Sequence, residues 1–244
     1  EPEAVSKTDL EQTVTAALAD PPQRVRRLDL PDGRRFWLKR VEWLSGRLRL
    51  QKGDPQKAFT AELRGLHSLA DNGLPVAEVV MQGTDWMVLA DAGPVLPMVV
   101  ADPALDAGAK QHALAVAGRA LGLLHRAGLV HGRPAVRDIC WDGQEARFID
   151  LERFHPGRHG GFWQAADVMM FAQTCFTRWP DDPRWLDSAL AGYAAHAPEA
   201  AMLRVRRLAL GLAPLGWLAM GLSRLRPNSR ELRAVGRTLA RLRG

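Results

Sequence analysis

The stretch HGRPAVRDICWDGQEARFIDLERF, residues 131–154, sets its ionisable side chains in a definite order. His131 and Arg133 come first, Asp138 follows, and Asp150 stands twelve residues further on. RFID, residues 147–150, predicts a brief strand ending at Asp150, and Asp142-Gly143 predicts a turn that folds it back toward Asp138. Two carboxylates converging at the ends of short loops offer hard oxygen ligands of the kind Mg²⁺ takes when it also holds phosphates. Arg133 carries the opposite charge, and its task beside such a pair decides how much chemistry the stretch supports.

The chain around it has 244 residues, 47% of them hydrophobic, enough to bury a core in one large domain or in two packed lobes. Cys140 and Cys175 lack a C-x-x-C spacing and the histidines are scattered singly, so neither a disulfide scaffold nor a zinc cluster is indicated. A reducing, cytoplasmic setting is expected. The chain opens EPEAVSKTDLEQ, without the basic-then-apolar pattern of a secretory leader. Its longest apolar run, LALGLAPLGWLAMGL at 208–222, has 15 residues where a bilayer span needs roughly 20, and Pro214 and three glycines interrupt it. A buried or interfacial segment is expected there.

The formal net charge of +6 is uneven: residues 24–52 hold ten Arg or Lys against three acidic residues, and 224–244 hold seven Arg against one Glu. Such patches attract phosphates, anionic glycolipids or nucleic acid alike, and a solvated basic surface accounts for either one equally well. Nucleic acid is the least favoured of these, because no exposed aromatics interleave with the basic residues and no reading motif is present.

Outward from the central stretch, the N-terminal part reads as sheet. KTDLEQTVTAALAD, residues 7–20, predicts a short helix capped at Thr8 or Asp9. QRVRRLDL and RRFWLKRV then alternate with period two about Pro31-Asp32-Gly33, predicting a hairpin with Phe36 and Leu38 on one face and Arg35, Trp37 and Lys39 on the other. A polar loop, LSGRLRLQKGDPQ at 44–56, leads to a helix over 56–70 with Phe59, Leu63, Leu66 and Leu69 in one stripe and Glu62 flanking it. AEVVMQ and DWMVLAD predict two further strands.

After Gly93-Pro94 the pattern becomes helical. Residues 110–127 place Leu114, Ala117, Leu121 and Leu124 on one face, and FWQAADVMMFAQTCF, LDSALAGYAAHA, EAAMLRVRRLALGLA and SRELRAVGRTLARLR are further helical segments. The last sets Leu232, Val235, Leu239 and Leu242 against Arg230, Arg233, Arg237 and Arg241, a basic amphipathic helix that either attracts an anionic membrane or packs its apolar side internally. Trp86, Trp141, Met87, Met169 and Met170 are expected in or near the core. The whole reads as α+β: residues 1–92 as a small antiparallel sheet with the helix 56–70, then residues 93–244 as a mainly helical part carrying the loop 131–152 and the basic tail.

Lys39 in FWLKR sits among apolar strand neighbours, and a Lys reaching toward phosphates needs an anion to hold its stem, which Glu62 can supply. In this order the chain resembles the protein-kinase-like superfamily in its small bacterial form. It is most similar to the lipopolysaccharide-core heptose and Kdo kinases and their relatives, which are themselves similar to the aminoglycoside phosphotransferases and small atypical kinases. The resemblance covers roughly residues 25–180 and implies a two-lobed fold. It matches Lys39 to the strand lysine that contacts ATP phosphates and Glu62 to its helix partner. His131-Gly132-Arg133 and then Asp138 stand at the catalytic loop, Asp150 at the metal-binding aspartate, and Asp167 at the buried aspartate that steadies the loop. It implies ATP and Mg²⁺ as cofactors, with Asp138 and Asp150 on the metal, and a structural His131 packed and hydrogen-bonded beneath the loop.

Two features depart from that pattern. Arg133 stands where the family has the Asp that orients or deprotonates the acceptor hydroxyl, and arginine stays protonated at any relevant pH. No Gly-rich loop covers the phosphates, since the hairpin turn has one glycine. Three accounts of Arg133 are open: a clamp on an anionic acceptor or on the transferring phosphoryl group, an internal ion pair with Asp150 or Asp138 that silences the site, or a side chain turned to solvent. The resemblance therefore implies either an ATP-dependent phosphotransferase acting on a sugar or glycolipid hydroxyl, with catalytic Arg133, Asp138 and Asp150, or a pseudokinase that binds a nucleotide, lipid or protein without turnover.

Overall fold

The computed structural model describes residues 2–41, 54–226 and 228–244, so most of the polar stretch 44–56, with Arg47, Arg49 and Lys52 of the first basic patch, lies outside the described residues. The elements are α1 (Pro2–Ala19), β1 (Val25–Asp29), β2 (Arg35–Arg40), α2 (Pro55–Asp71), β3 (Val79–Gln82), β4 (Trp86–Ala90), α3 (Leu96–Ala101), α4 (Ala107–Arg126), β5 (Ile139–Trp141), β6 (Ala146–Phe148), α5 (Gly161–Arg178), α6 (Arg184–His196), α7 (Ala201–Gly211), α8 (Ala213–Leu225) and α9 (Arg230–Arg243). The architecture is α+β, a small antiparallel sheet followed by a helical C-terminal part.

Four strands form one sheet in the order β1-β2-β4-β3, every neighbouring pair antiparallel. The period-two alternation of β2 assigns its faces. Phe36 and Leu38 point to one side, where Leu10, Val14 and Ala17 of α1 close over them with Leu28, Leu30 and Val88. Trp37 and Lys39 point to the other. There α2, capped by the Asp54 side chain and started by Pro55, buries Phe59, Leu66 and Leu69 in the main core with Met87 and Leu89 of β4.

Helix α1 begins at Pro2, upstream of the expected start, so neither Thr8 nor Asp9 caps it; the apolar side of one longer helix covers the sheet instead. Helix α3 was not anticipated, because six residues with an internal Pro are too few to show a helical period. In the helical part, α4 and α6 pack closely through glycines. A Cβ on Gly118 would meet the Ala189 carbonyl at 1.8 Å, and one on Gly192 the Ala115 carbonyl at 1.9 Å.

The basic tail helix α9 packs on α5, α7 and α8, burying Leu239 and Leu242, with Leu232 and Val235 partly covered. Arg237 and Arg241 pair with Asp181 and Asp187. Internal packing thus takes the apolar side of the tail, one of the two outcomes the sequence left open. No single helix among the described residues is long and apolar enough to cross a membrane.

Candidate functional site

The stretch 131–154 is held against the sheet by main-chain bonds. β5 and β6 form a hairpin around Asp142-Gly143, with Ile139 opposite Phe148. Val76 bridges Phe148, the Ala77 N–H donates to the Phe148 carbonyl at 2.9 Å, and the Trp141 N–H donates to the Pro94 carbonyl at 2.9 Å. Segments flanking the sheet strands therefore grip the hairpin on both edges. Asp138 closes a short 3₁₀ turn just before β5, and Asp150 lies two residues beyond β6.

Both aspartates line one cavity of about 550 Å³, together with Lys39 and Trp37 from β2. The Lys39 Nζ donates to the Glu62 carboxylate of α2 and, at 3.1 Å, to the Ile149 carbonyl beside Asp150. One ammonium thus ties the sheet, α2 and the 131–154 stretch together. Burial pushes the Glu62 carboxyl up to about 7, and the charge and hydrogen bond of Lys39 offset only part of that. Burial also raises Asp138, to about 6, with the negative charge of Asp150 adding to it. The Asp138 Oδ2 is buried with no hydrogen-bond partner among the described residues.

Arg133 brings a guanidinium nitrogen to 4.0 Å from the Asp150 Oδ2 while its side chain stays 35% exposed. Asp138 has its own basic neighbour, Arg137 at 3.6 Å. Of the three roles open to Arg133, it is neither turned wholly to solvent nor locked into a short ion pair. Its charge stands next to Asp150 on a partly exposed side chain.

Beneath the loop lies a buried polar cluster that the sequence indicated only through Asp167. The Asp167 carboxylate accepts the His131 N–H at 2.7 Å and the Gly132 N–H at 3.0 Å, and lies 3.3 Å from the His125 Nε2. His125 in turn meets the Tyr193 hydroxyl at 2.9 Å. Gly132 has φ 96°, and a Cβ there would meet the Arg153 carbonyl at 2.3 Å, so the loop needs glycine at this point. Asp167→Ala would leave one buried and one part-buried N–H group without an acceptor, and a loss of about 2–4 kcal/mol in urea unfolding is expected.

His131 is fully buried, its ring edge-on to Phe148 with centroids 4.9 Å apart. The expected ring hydrogen bond is absent: neither ring nitrogen has a partner among the described residues, because the main-chain N–H takes the available carboxylate. Burial holds His131 down at about 4 against an ordinary 6.5. A depressed histidine stabilises the fold above 6.5, and that contribution is lost as pH falls toward 4. Glu62 and Asp138, both raised, act with the opposite sign as pH falls. Comparing wild type with His131→Phe isolates the histidine, and the stability difference should change by roughly 3 kcal/mol between pH 6.5 and 4 in denaturant titrations.

The structure adds residues to the site that the sequence did not single out. Carboxylate oxygens of Glu62, Asp150 and Glu152 all lie within 4.8 Å of one another, a cluster that Asp138 does not join although it lines the same cavity. Glu152, two residues past Asp150, was visible in IDLE but had no contact to give it meaning. Arg24 pairs with Glu152 across the cavity wall. Asp91 accepts the Trp37 Nε1–H at 2.8 Å and pairs with Arg35. Cys140 also lines the cavity, but burial pushes its thiol up to about 12, so it is no nucleophile at neutral pH. Trp141 and Met87 are buried and Trp86 and Met169 half-buried, whereas Met170 is exposed.

Fold and site together define an α+β protein whose sheet and helical part enclose a cavity bearing one lysine and a set of converging carboxylates. No protein-family model matches the chain. Over 140 residues it is 34% identical to an uncharacterized protein of Haemophilus influenzae, a match covering 57% of this chain and 58% of that protein. The match spans less than two thirds of the relative's own length.

Proposed function

We propose that the protein is a two-lobed, protein-kinase-like, ATP-dependent phosphotransferase acting on a sugar or lipopolysaccharide-core glycolipid hydroxyl, with residues 1–92 and 93–244 as its lobes. The observation that carries this is Lys39 held between Glu62 and the Ile149 carbonyl in a cavity shared with Asp138 and Asp150. A lysine fixed by a carboxylate at one end of a cavity of nucleotide size, facing two aspartates, suits the grip of a polyphosphate. Arg24, Arg27 and Arg35 line the same cavity from the β1–β2 side, paired with Glu152, Asp29 and Asp91, and a polyphosphate would share them with those carboxylates where a Gly-rich loop is missing.

The donors fit Mg²⁺: they are hard oxygens, and the buried, unpartnered Oδ2 of Asp138 is suited to a cation. Asp138 and Asp150 would hold the ion, which when bound neutralises charge on phosphoryl oxygens. Lys39 orients the phosphate chain, Arg133 faces the developing charge beside Asp150, and Asp167 keeps the loop carrying Arg133 in place. Phosphoryl transfer depends mainly on positioning and charge stabilisation, so a site without the usual base retains a route to turnover.

The 4.0 Å approach of Arg133 to Asp150 favours a second reading, a pseudokinase in which the guanidinium competes with a cation for that carboxylate. Calorimetric titration with Mg²⁺·ATP, followed on the same sample by a transfer assay with Kdo- and heptose-containing acceptors, tests both. Binding with transfer is expected. Binding without transfer favours the pseudokinase, and no binding removes both nucleotide-based readings.

A further inference from the structure

Helix α8 is built inside out. The residues it buries are Gly216 and Ala219. At that seam a Cβ on Gly216 would meet the Leu239 Cδ1 at 3.0 Å, and one on Gly236 would meet the Met220 Cγ at 2.7 Å, so small residues let α8 lie close on α9. Its large apolar side chains point away from the protein: Leu215, Trp217, Leu218 and Leu225 are 55, 64, 60 and 79% exposed. A water-facing helix of a globular protein has the reverse arrangement.

The apolar face continues past α8. Leu215 also lines a groove of about 350 Å³, whose other walls include Phe162, Met169, Met170, Leu208 and Leu212. Phe162 is 61% exposed, and basic side chains stand against its chain neighbours. The Arg158 guanidinium lies 4.8 Å from the centre of the neighbouring Trp163 ring, and the Arg204 stem packs where a Cβ of Gly161 would be. On α7, exposed Arg206 and Arg207 fall between exposed Leu203 and Leu210 on one helix face. Residues 201–244 hold ten Arg against one Glu.

We infer that α7 and α8 form a docking surface for an anionic lipid bilayer, with the α8 ridge seated in the interfacial zone and the arginines on lipid phosphates. Charge selects this occupant. A second copy meeting the same face about a two-fold axis would set arginines against arginines, whereas an anionic membrane meets both the apolar and the basic parts. The helices lie on the bilayer and do not cross it. They meet at a bend of 56°, α7 is pinned to the body by buried Ala201, Val205 and Ala209, and the 13 residues of α8 reach roughly 20 Å against a hydrocarbon core of about 30 Å. This inference does not depend on the proposed activity.

The test is co-sedimentation of the full chain with phosphatidylcholine vesicles, with and without phosphatidylglycerol. Wild type should partition onto the anionic vesicles alone. Both the Trp217→Gln/Leu218→Gln and the Arg206→Gln/Arg207→Gln variants should bind at least about tenfold more weakly. The altered side chains are exposed, and circular dichroism melts check that each variant is folded. Absence of wild-type partition, or equal partition of wild type and the folded apolar variant, overturns the inference. So does wild-type self-association in sedimentation velocity that is lost in the apolar variant while vesicle binding persists, since the ridge would then be covered by a second copy.

Discussion

Replacement of Asp150 by Asn is expected to lower phosphate transfer by on the order of a thousandfold while leaving the fold unchanged. The substitution is nearly isosteric, and its side-chain carbonyl can still accept the Glu152 N–H that the Asp150 Oδ1 accepts at 3.1 Å, so the chain beyond β6 keeps its path. What disappears is one negative charge in a cavity that also holds Lys39 and Asp138. The affinity for Mg²⁺·ATP should fall with it, and calorimetry on the variant reads that loss separately from turnover. Asp138 gives an independent check, because the charge of Asp150 helps hold its carboxyl up at about 6 and removing that charge should lower it. Transfer that continues undiminished in Asp150→Asn would end the assignment of this cavity as the reaction site.

Arg133→Ala should reduce transfer about a hundredfold with little effect on stability. The side chain is 35% exposed and its guanidinium 4.0 Å from the carboxylate, so its deletion strands no deeply buried charge. Its value lies in where its charge points: beside Asp150, next to the cavity, on a loop fixed by Asp167 through the His131 and Gly132 amides. If instead Arg133 silences the site, its removal releases Asp150, and the Mg²⁺-dependent affinity for ATP should rise. The two readings therefore predict different outcomes in the same pair of assays, lower transfer if Arg133 is a clamp and tighter Mg²⁺-dependent nucleotide binding if it silences the site. Arg133→Lys sharpens the comparison, because it keeps the charge but loses the planar fork.

Much of the fold was legible in local pattern. The alternation of RRFWLKRV assigned both faces of β2, and the structure has Phe36 and Leu38 buried under α1 with Trp37 and Lys39 on the cavity side. The helical stripe of 56–70 and the turn at Asp142-Gly143 were readable for the same reason, since a period of 3.6 or 2 and a turn chemistry are properties of neighbours in sequence. Helix α3 escaped because six residues, fewer than two turns, show no period. The true start of α1 escaped because its first turns carry no apolar stripe that a sequence pattern could detect.

The site divides along the same line. Lys39, Glu62, Asp138, Asp150 and Asp167 could be named from their order along the chain, but order carries no distance, and the role of each depends on contacts between residues far apart in sequence. The tertiary structure alone brought Lys39 to Glu62 and the Ile149 carbonyl, gathered Glu152 beside Asp150, paired Arg24 across the cavity, and set Arg133 at 4.0 Å from a carboxylate. It also decided the C-terminal helices. Both α8 and α9 have enough apolar side chains to seek cover, and the sequence of either is compatible with packing or exposure. The small faces of Gly216 and Ala219 let α8 lie close on α9 while its own large side chains turn outward, a choice set by which surfaces fit together and not by the hydrophobicity of either helix.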